Sequence, residues 1–279
     1  MATAEPARTW QSAEAAEIWR RGAARRAQTL ALATERMFQA AGLDTGMHVL
    51  DVAAGTGDQS MLAVRRVGPT GSVLATDISP TMLAGAEQAA AEAGLQNIKT
   101  SVQDASALNV GEAQFDAAIC RFGLMFVSDL QAALSGIRGA LKPGARFAAL
   151  VWSTEEHNPW IGSQLAVVRG MGRMPSPAPP IVRTTSLSAP GMLEGSLAAA
   201  GFRDVSVEPV ATPREFESYA AAAEAMWTTS PNQADLLREM TDAEQAAFRT
   251  EVERRLARFV QPDGRCVVPG EALLGVGSA

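Results

Sequence analysis

The sequence predicts a doubly wound α/β fold with a mostly parallel sheet, and three observations carry that prediction. Between Met47 and Trp152, short apolar runs alternate with helical segments. Such alternation calls for right-handed crossovers, which place helices on both faces of a parallel sheet. The run Val49-Leu50-Asp51-Val52-Ala53-Ala54-Gly55-Thr56-Gly57-Asp58 leads an apolar strand into a glycine turn. Asp77 and Asp104 then close the next two strand candidates. Both carboxylates thus fall on the carboxyl edge of the sheet, where open α/β folds bind ligands.

Taken in order, strands are predicted at residues 47–54, 72–78, 98–104, 115–122 and 145–152, each a short apolar run. Helices are predicted between them at 59–67, 80–93 and 129–141. The chain stops at Gly68-Pro69-Thr70-Gly71, at Gly94 and at Lys142-Pro143-Gly144, each before a strand. Beyond Trp152 the pattern changes. Residues 174–180 are too rich in proline to continue a helix and predict a loop. A short helix at 190–200 ends at Gly201, and a sixth strand follows at 203–210. Helices are expected at 218–227 and 236–260, the second broken near Thr241-Asp242, where Glu244 marks a fresh start. Residues 267–277 predict the final strand.

Composition narrows the class. Of 279 residues, 47% are hydrophobic and 19% charged, which fits a globular protein of one large domain or two small ones. A net charge of −6 argues against a general nucleic-acid surface. Cys120 and Cys266 allow at most one bridge, so a reducing, cytoplasmic setting is expected. The N-terminal residues lack the apolar core of a signal peptide, and no run approaches the roughly 18 apolar residues of a membrane span. Two histidines and no zinc-type spacing give no reason to expect a metal.

The glycine turn admits two readings, a dinucleotide site or a site for S-adenosylmethionine. A dinucleotide turn reads G-x-G-x-x-G and cradles a pyrophosphate at a helix N-terminus. Here Ser60 stands at the third glycine, and Asp58 would repel a pyrophosphate. S-adenosylmethionine carries a sulfonium and an ammonium instead, and Asp51 and Asp58 suit it. Asp77 is placed to accept the two ribose hydroxyls, or else to cap the helix at Pro80, although Ser79 already suits that position. Asp104 can accept from an adenine amine, a donor-only group, or be an ordinary strand-end aspartate. Arg121-Phe122-Gly123-Leu124-Met125-Phe126 leaves the fourth strand beside the reacting centre.

With these residues in order, the chain resembles the class I S-adenosylmethionine-dependent methyltransferases. The motifs are VLDVAAGTGD, ATDISPTML, VQDA, FDAAICRFGLMFV and LKPGARFAALVW, over residues 42–152. The resemblance implies a Rossmann-like, seven-stranded sheet whose last strand is antiparallel. It implies Ala53, Gly55 and Gly57 at the methionine portion, Asp77 at the ribose, Asp104 with Ala105 at the adenine, and Arg121 beside the cofactor. The expected cofactor set is thus Asp51, Ala53, Gly55, Gly57, Asp77, Ile78, Asp104, Ala105 and Arg121. The flavour is that of the ubiquinone/menaquinone-biosynthesis group and its small-molecule relatives. Two departures stand out. Arg121-Phe122-Gly123-Leu124 replaces the asparagine-proline-proline-aromatic signature of amino-methylating enzymes, and residues 10–24 do not match the quinone-pathway enzymes.

The acceptor side is expected from segments outside the sheet. A single domain is expected over 1–279, with a core at 42–152, 190–210 and 266–279. N-terminal helices at 8–41 and an inserted helical lid, from 154–189 and 217–260, would form the cover. These segments hold Trp10, Trp19, Trp160, Tyr219 and Trp227. Phe122, Met125, Phe126 and Trp160 are the candidate acceptor contacts; the alternative is plain core packing for the first three, the usual fate of apolar residues at strand ends, and anchoring of the cover onto the sheet for Trp160. His157 is the candidate general base, against a surface or helix-start role, and His48 is expected to be structural. The expected reaction is methyl transfer to a small, partly hydrophobic acceptor on O, C or N. The alternatives are a quinone-type C-methyltransferase and a non-methylating cofactor-binding protein. Residues 174–190 are expected to order on ligand binding.

Overall fold

Nine strands and ten helices are described in the computed structural model, which covers residues 12–176, 180–228 and 236–279, with the backbone alone for 13–15 and 180. The strands are β1 (His48–Val52), β2 (Ser72–Asp77), β3 (Ile98–Val102), β4 (Phe115–Arg121), β5 (Leu141–Trp152), β6 (Arg203–Ala211), β7 (Arg214–Phe216), β8 (Cys266–Val268) and β9 (Glu271–Ser278). Seven of them form one sheet in the order β3-β2-β1-β4-β5-β9-β6, and β7 pairs with β8 apart from it. In that sheet β9 alone is reversed, antiparallel to both β5 and β6. This is the doubly wound sheet with an antiparallel final strand that the sequence led us to expect.

The helices are α1 (Ala13–Arg21), α2 (Ala23–Thr29), α3 (Ala31–Ala41), α4 (Asp58–Val67), α5 (Pro80–Glu92), α6 (Leu130–Ala140), α7 (Pro159–Gly170), α8 (Met192–Ala199), α9 (Tyr219–Thr228) and α10 (Asp242–Leu256). Strand periodicity divides the core between two faces. Leu50, Val52, Ala118 and Cys120 meet Leu134 and Ile137 of α6 and Leu193 and Leu197 of α8. Val49, Ala117 and Ile119 point the other way, onto Met37 and Phe38 of α3 and Val64 and Val67 of α4. Each Val, Leu, Ile, Met or Phe among them, fully buried, contributes roughly 1.5–3 kcal/mol. A third apolar cluster lies beyond the sheet, where α7, α9, α10 and β7–β8 bury Leu165, Phe216, Met226, Phe248 and Cys266.

Several expectations shift in detail. Lys142-Pro143-Gly144 does not end the turn before β5 but lies inside the strand, as an irregularity where the β4–β5 register moves between Phe115 and Ala117. The predicted final strand divides at Pro269-Gly270, so its first part pairs with β7 and its second enters the main sheet. The break near Thr241 is a full capping box, with the Thr241 hydroxyl accepting from Glu244 N–H and the Glu244 carboxylate accepting from Thr241 N–H. Residues 177–179 of the proline-rich stretch, and Trp10, lie outside the described residues. Among the described residues, no helix is long and apolar enough to cross a membrane, and no cluster of acidic, cysteine and histidine side chains is suited to a metal.

Candidate functional site

The carboxyl ends of β1, β2 and β4 open into a cavity of about 550 Å³. Two non-glycine residues, Ala53 after β1 (φ 56°) and Phe122 after β4 (φ 61°), adopt left-handed backbone there. Such conformations cost energy and persist where the surroundings enforce them, which is common at ligand sites. Gly123 makes this crossing possible, since a Cβ on it would lie 2.3 Å from that of Ala53. Gly57 (φ 79°) caps α4, and a Cβ there would come within 2.8 Å of Ala86. Its expected place in the site is therefore indirect. It lets the turn pack on α5 and does not itself line the cavity.

Asp77 holds the turn. Its Oδ2 accepts from Gly55 N–H at 2.9 Å and its Oδ1 from Ser79 N–H at 2.8 Å. Burial pushes its carboxyl above the usual range, against those two bonds. The helix at Pro80 is capped instead by the Ser79 hydroxyl, which accepts from Met82 N–H. Asp104 lines the cavity from the end of β3, with Ala105, Ile78 and Gln103 beside it. Its Oδ1 accepts from Ser106 N–H at 2.8 Å. Asp51 does not reach the cavity. It is wholly buried beneath the turn, where Gln59 Nε2 and the Ser60 hydroxyl donate to it, and burial raises its pKa to about 7. Ser60 thus has a partner that a third glycine would lack.

The N-terminal helices cover the turn. Arg26 bonds Asp58 through Nη2 at 2.7 Å, donates to the Trp19 carbonyl at 2.6 Å and stacks over the Trp19 ring at 4.0 Å. Arg121 donates to the Thr34 hydroxyl at 2.9 Å and stands 3.8 Å from Asp58. Burial lowers both arginine pKa values, that of Arg121 to about 10. Since Asp58 is matched by arginines, its own charge no longer argues against a phosphate; that argument now rests on Ser60 and on the facing carboxylates Asp77 and Asp104.

Aromatic side chains form the far wall. Phe122 and Trp152 stack at 4.0 Å, and Trp160 and Phe216 at 5.3 Å. Phe122, Phe126 and Trp160 line the cavity, but Met125 does not. It is 1% exposed in the core, its sulfur accepting from Trp152 N–H, because the short 3-10 turn Leu124–Phe126 rolls it inward. His157 is also absent from the cavity. After β5 the chain turns outward, and the exposed ring meets Glu271 Oε1 at 2.7 Å. Tyr219 and Trp227 pack on the outer cluster, where Trp227 Nε1 donates to Glu253. The sequence reading missed Arg25, Arg183, Thr184, Arg214 and Phe216, which line the same cavity. The one available signal was a basic-apolar alternation at Arg214-Glu215-Phe216, too short to mark a strand.

Comparison with known proteins agrees with this arrangement. Residues 49–144 match the model of a family described as a methyltransferase domain. A ubiquinone/menaquinone biosynthesis C-methyltransferase of Cellvibrio japonicus is 38% identical over 122 residues, 43% of this chain and 49% of that protein. An uncharacterized protein of Mycobacterium tuberculosis is 35% identical over 133 residues, 48% of this chain and 46% of that protein. The chain spans about half the length of the curated relatives it matches. Among solved structures, a putative methyltransferase from Bacillus halodurans has a TM-score of 0.56 at 18% identity, covering 88% of this chain and 97% of that one. A [4+2]-cyclase, SpnF, has a TM-score of 0.55 at 22% identity, covering 88% and 78%. A SAM-dependent methyltransferase from Aquifex aeolicus has a TM-score of 0.51 at 24% identity, covering 66% and 86%. These structural likenesses concern the fold. Residues 49–144 thus match a methyltransferase domain, and with the sheet order and the glycine turn answered by Asp77 the fold is similar to that of the class I S-adenosylmethionine-dependent methyltransferases.

Proposed function

We propose that this protein transfers a methyl group from S-adenosylmethionine to a small, partly hydrophobic organic acceptor. The observation that carries the reading is one continuous cavity, acidic at the strand edge and aromatic at the cover. The donor set fits the cofactor's nucleoside. Asp77 and Asp104 are acceptor-only groups for ribose hydroxyls and an exocyclic amine, with Ile78 and Ala105 as apolar flanks. Ala53 and Gly55 would hold the methionine portion, with Arg121 beside it, while Asp51 and Gly57 act from beneath by fixing the turn.

Bound there, the cofactor supplies an already activated methyl group. What remains for this chain is alignment and exclusion of water. Trp19 and Arg26 close the turn side, and Phe122, Trp152, Trp160 and Phe216 press a flat acceptor against the reacting edge. No histidine lines the cavity, so His157→Ala is expected to change turnover by less than about threefold, in contrast to the roughly hundredfold or greater loss of a true general base. A loss above tenfold in steady-state assays would restore His157 to the reaction.

Calorimetric titration tests the cofactor half directly. S-adenosylhomocysteine should bind and NAD should give no heat; tighter binding of NAD would overturn the reading. Two further readings remain distinct. The likeness to the Cellvibrio japonicus enzyme favours quinone C-methylation, and the cyclase likeness shows that this fold also hosts other chemistry. Acceptor-dependent release of S-adenosylhomocysteine separates a methyltransferase from a protein that only binds the cofactor.

A further inference from the structure

Among the cavity-lining side chains, Arg214 has no evident purpose in holding the fold. It sits on β7, and among the described residues no carboxylate pairs with it. Its guanidinium faces two indole rings, Trp152 at 5.1 Å and Trp160 at 5.3 Å. Ring contacts of this kind engage the flat face of the cation and leave its in-plane N–H donors free. Nη1 is enclosed and has no hydrogen-bond partner. A guanidinium nitrogen held away from water without a partner is costly, and burial lowers the pKa of this half-buried arginine to about 10, where it still carries its charge near neutral pH.

The surroundings repeat the pattern. Thr184, on the same wall, has a buried hydroxyl without a partner. Arg183 donates one N–H to the Val127 carbonyl at 2.9 Å and forms no ion pair among the described residues. Arg25 lies over Phe216 at 4.9 Å and likewise forms none. Among the described residues, the carboxylates lining the cavity are Asp58, Asp77 and Asp104, which stand at or beyond the ends of β1, β2 and β3, and none of them pairs with Arg25, Arg183 or Arg214.

We propose that Arg214, with Thr184, Arg183 and Arg25 lining the same cavity, binds an oxyanion on the acceptor, so that the substrate is a planar organic acid or phosphate. This deepens the methyltransferase reading and rests on it only in assigning the anion to the acceptor. The planar fork of an arginine recognises a carboxylate or phosphate by paired bonds, and the flanking rings take the flat apolar body. A neutral acceptor of the same shape would leave the cation unpaired and be rejected.

The test uses matched probes on wild-type protein saturated with S-adenosylhomocysteine: benzoate against benzamide, 2-naphthoate against 2-naphthamide, and phenyl phosphate against phenol. At least one anion is expected to bind roughly tenfold or more tightly than its neutral partner by calorimetry. Arg214→Met should reduce that preference to within about twofold, Arg214→Lys should keep part of it, and both should bind S-adenosylhomocysteine as wild type does. An absence of anion preference across the panel, or a preference that survives Arg214→Met, would overturn the proposal. Should the variants fail to fold, nitrogen-15 arginine resonances of the wild type decide it. The Arg214 side-chain signals should move with the binding anion and stay in place with its neutral partner; no movement with either overturns the assignment. Failure of wild type to bind S-adenosylhomocysteine would count against the methyltransferase reading, and the same panel on the unloaded protein would still decide the anion site.

Discussion

Replacing Asp77 with alanine is expected to weaken S-adenosylhomocysteine binding by at least about a hundredfold. Two charge-assisted hydrogen bonds to ribose hydroxyls contribute on the order of 1.5–3 kcal/mol each. The effect has a second source, because the same carboxylate accepts from Gly55 and Ser79 N–H in the folded protein. Alanine leaves both backbone donors without a partner and frees the glycine turn that Gly55 belongs to. Asp77→Asn should fall between wild type and alanine: its carbonyl can satisfy one backbone donor, while its amide nitrogen faces the other. Calorimetry on variants whose circular dichroism matches wild type reads the loss. An unchanged dissociation constant for Asp77→Ala would mean that the ribose is held elsewhere.

The second large effect concerns Asp51 and pH. Its carboxyl is pushed up to about 7 in the folded protein from an ordinary 3.8, because burial outweighs the bonds from Ser60 and Gln59 and the attraction of Arg121. The folded state therefore holds this proton where the unfolded chain has released it, and stability falls as pH rises from about 4 to about 7. Between about pH 5 and about pH 8 the loss should be roughly 2–3 kcal/mol in urea denaturation. Asp77 is also raised by burial and adds a slope of the same sign. The comparison with Asp51→Asn isolates Asp51, because asparagine keeps an acceptor for Gln59 and can donate to the Ser60 oxygen. Equal slopes in the two proteins would show that the carboxylate is not raised.

The acidic end of the cavity was legible because it is local. A parallel strand ends where its apolar run ends, so Asp77 and Asp104 could be placed on one edge from spacing alone, and both face the cavity. Asp51 and Gly57 were legible as parts of the turn but not as its underside, since which way a buried side chain points depends on what α4 and α5 bring against it. His157 misled because proximity in sequence to the end of β5 was taken as proximity to the acceptor, and the chain turns toward Glu271 instead. Arg214 was invisible for the opposite reason. Its strand is only three residues long and exists because Cys266–Val268, far along the chain, pairs with it. Long-range pairing of this kind leaves almost no local pattern, so the cover was expected only as helices.

The placement of β9 sets a constraint on when the protein can fold. It follows every other described strand in sequence, yet it is an inner member of the sheet, between β5 and β6. Until Glu271–Ser278 leaves the ribosome, β5 has a bare hydrogen-bonding edge and β6 has no sheet to join. The β3-β2-β1-β4-β5 half, by contrast, is built from neighbouring crossovers and can assemble as it emerges. Pairings across so long a stretch of chain are slow to form, and an uncovered strand edge invites wrong partners meanwhile. The half-sheet that holds the glycine turn can thus form during synthesis, whereas β6 joins the sheet only once the final strand is made.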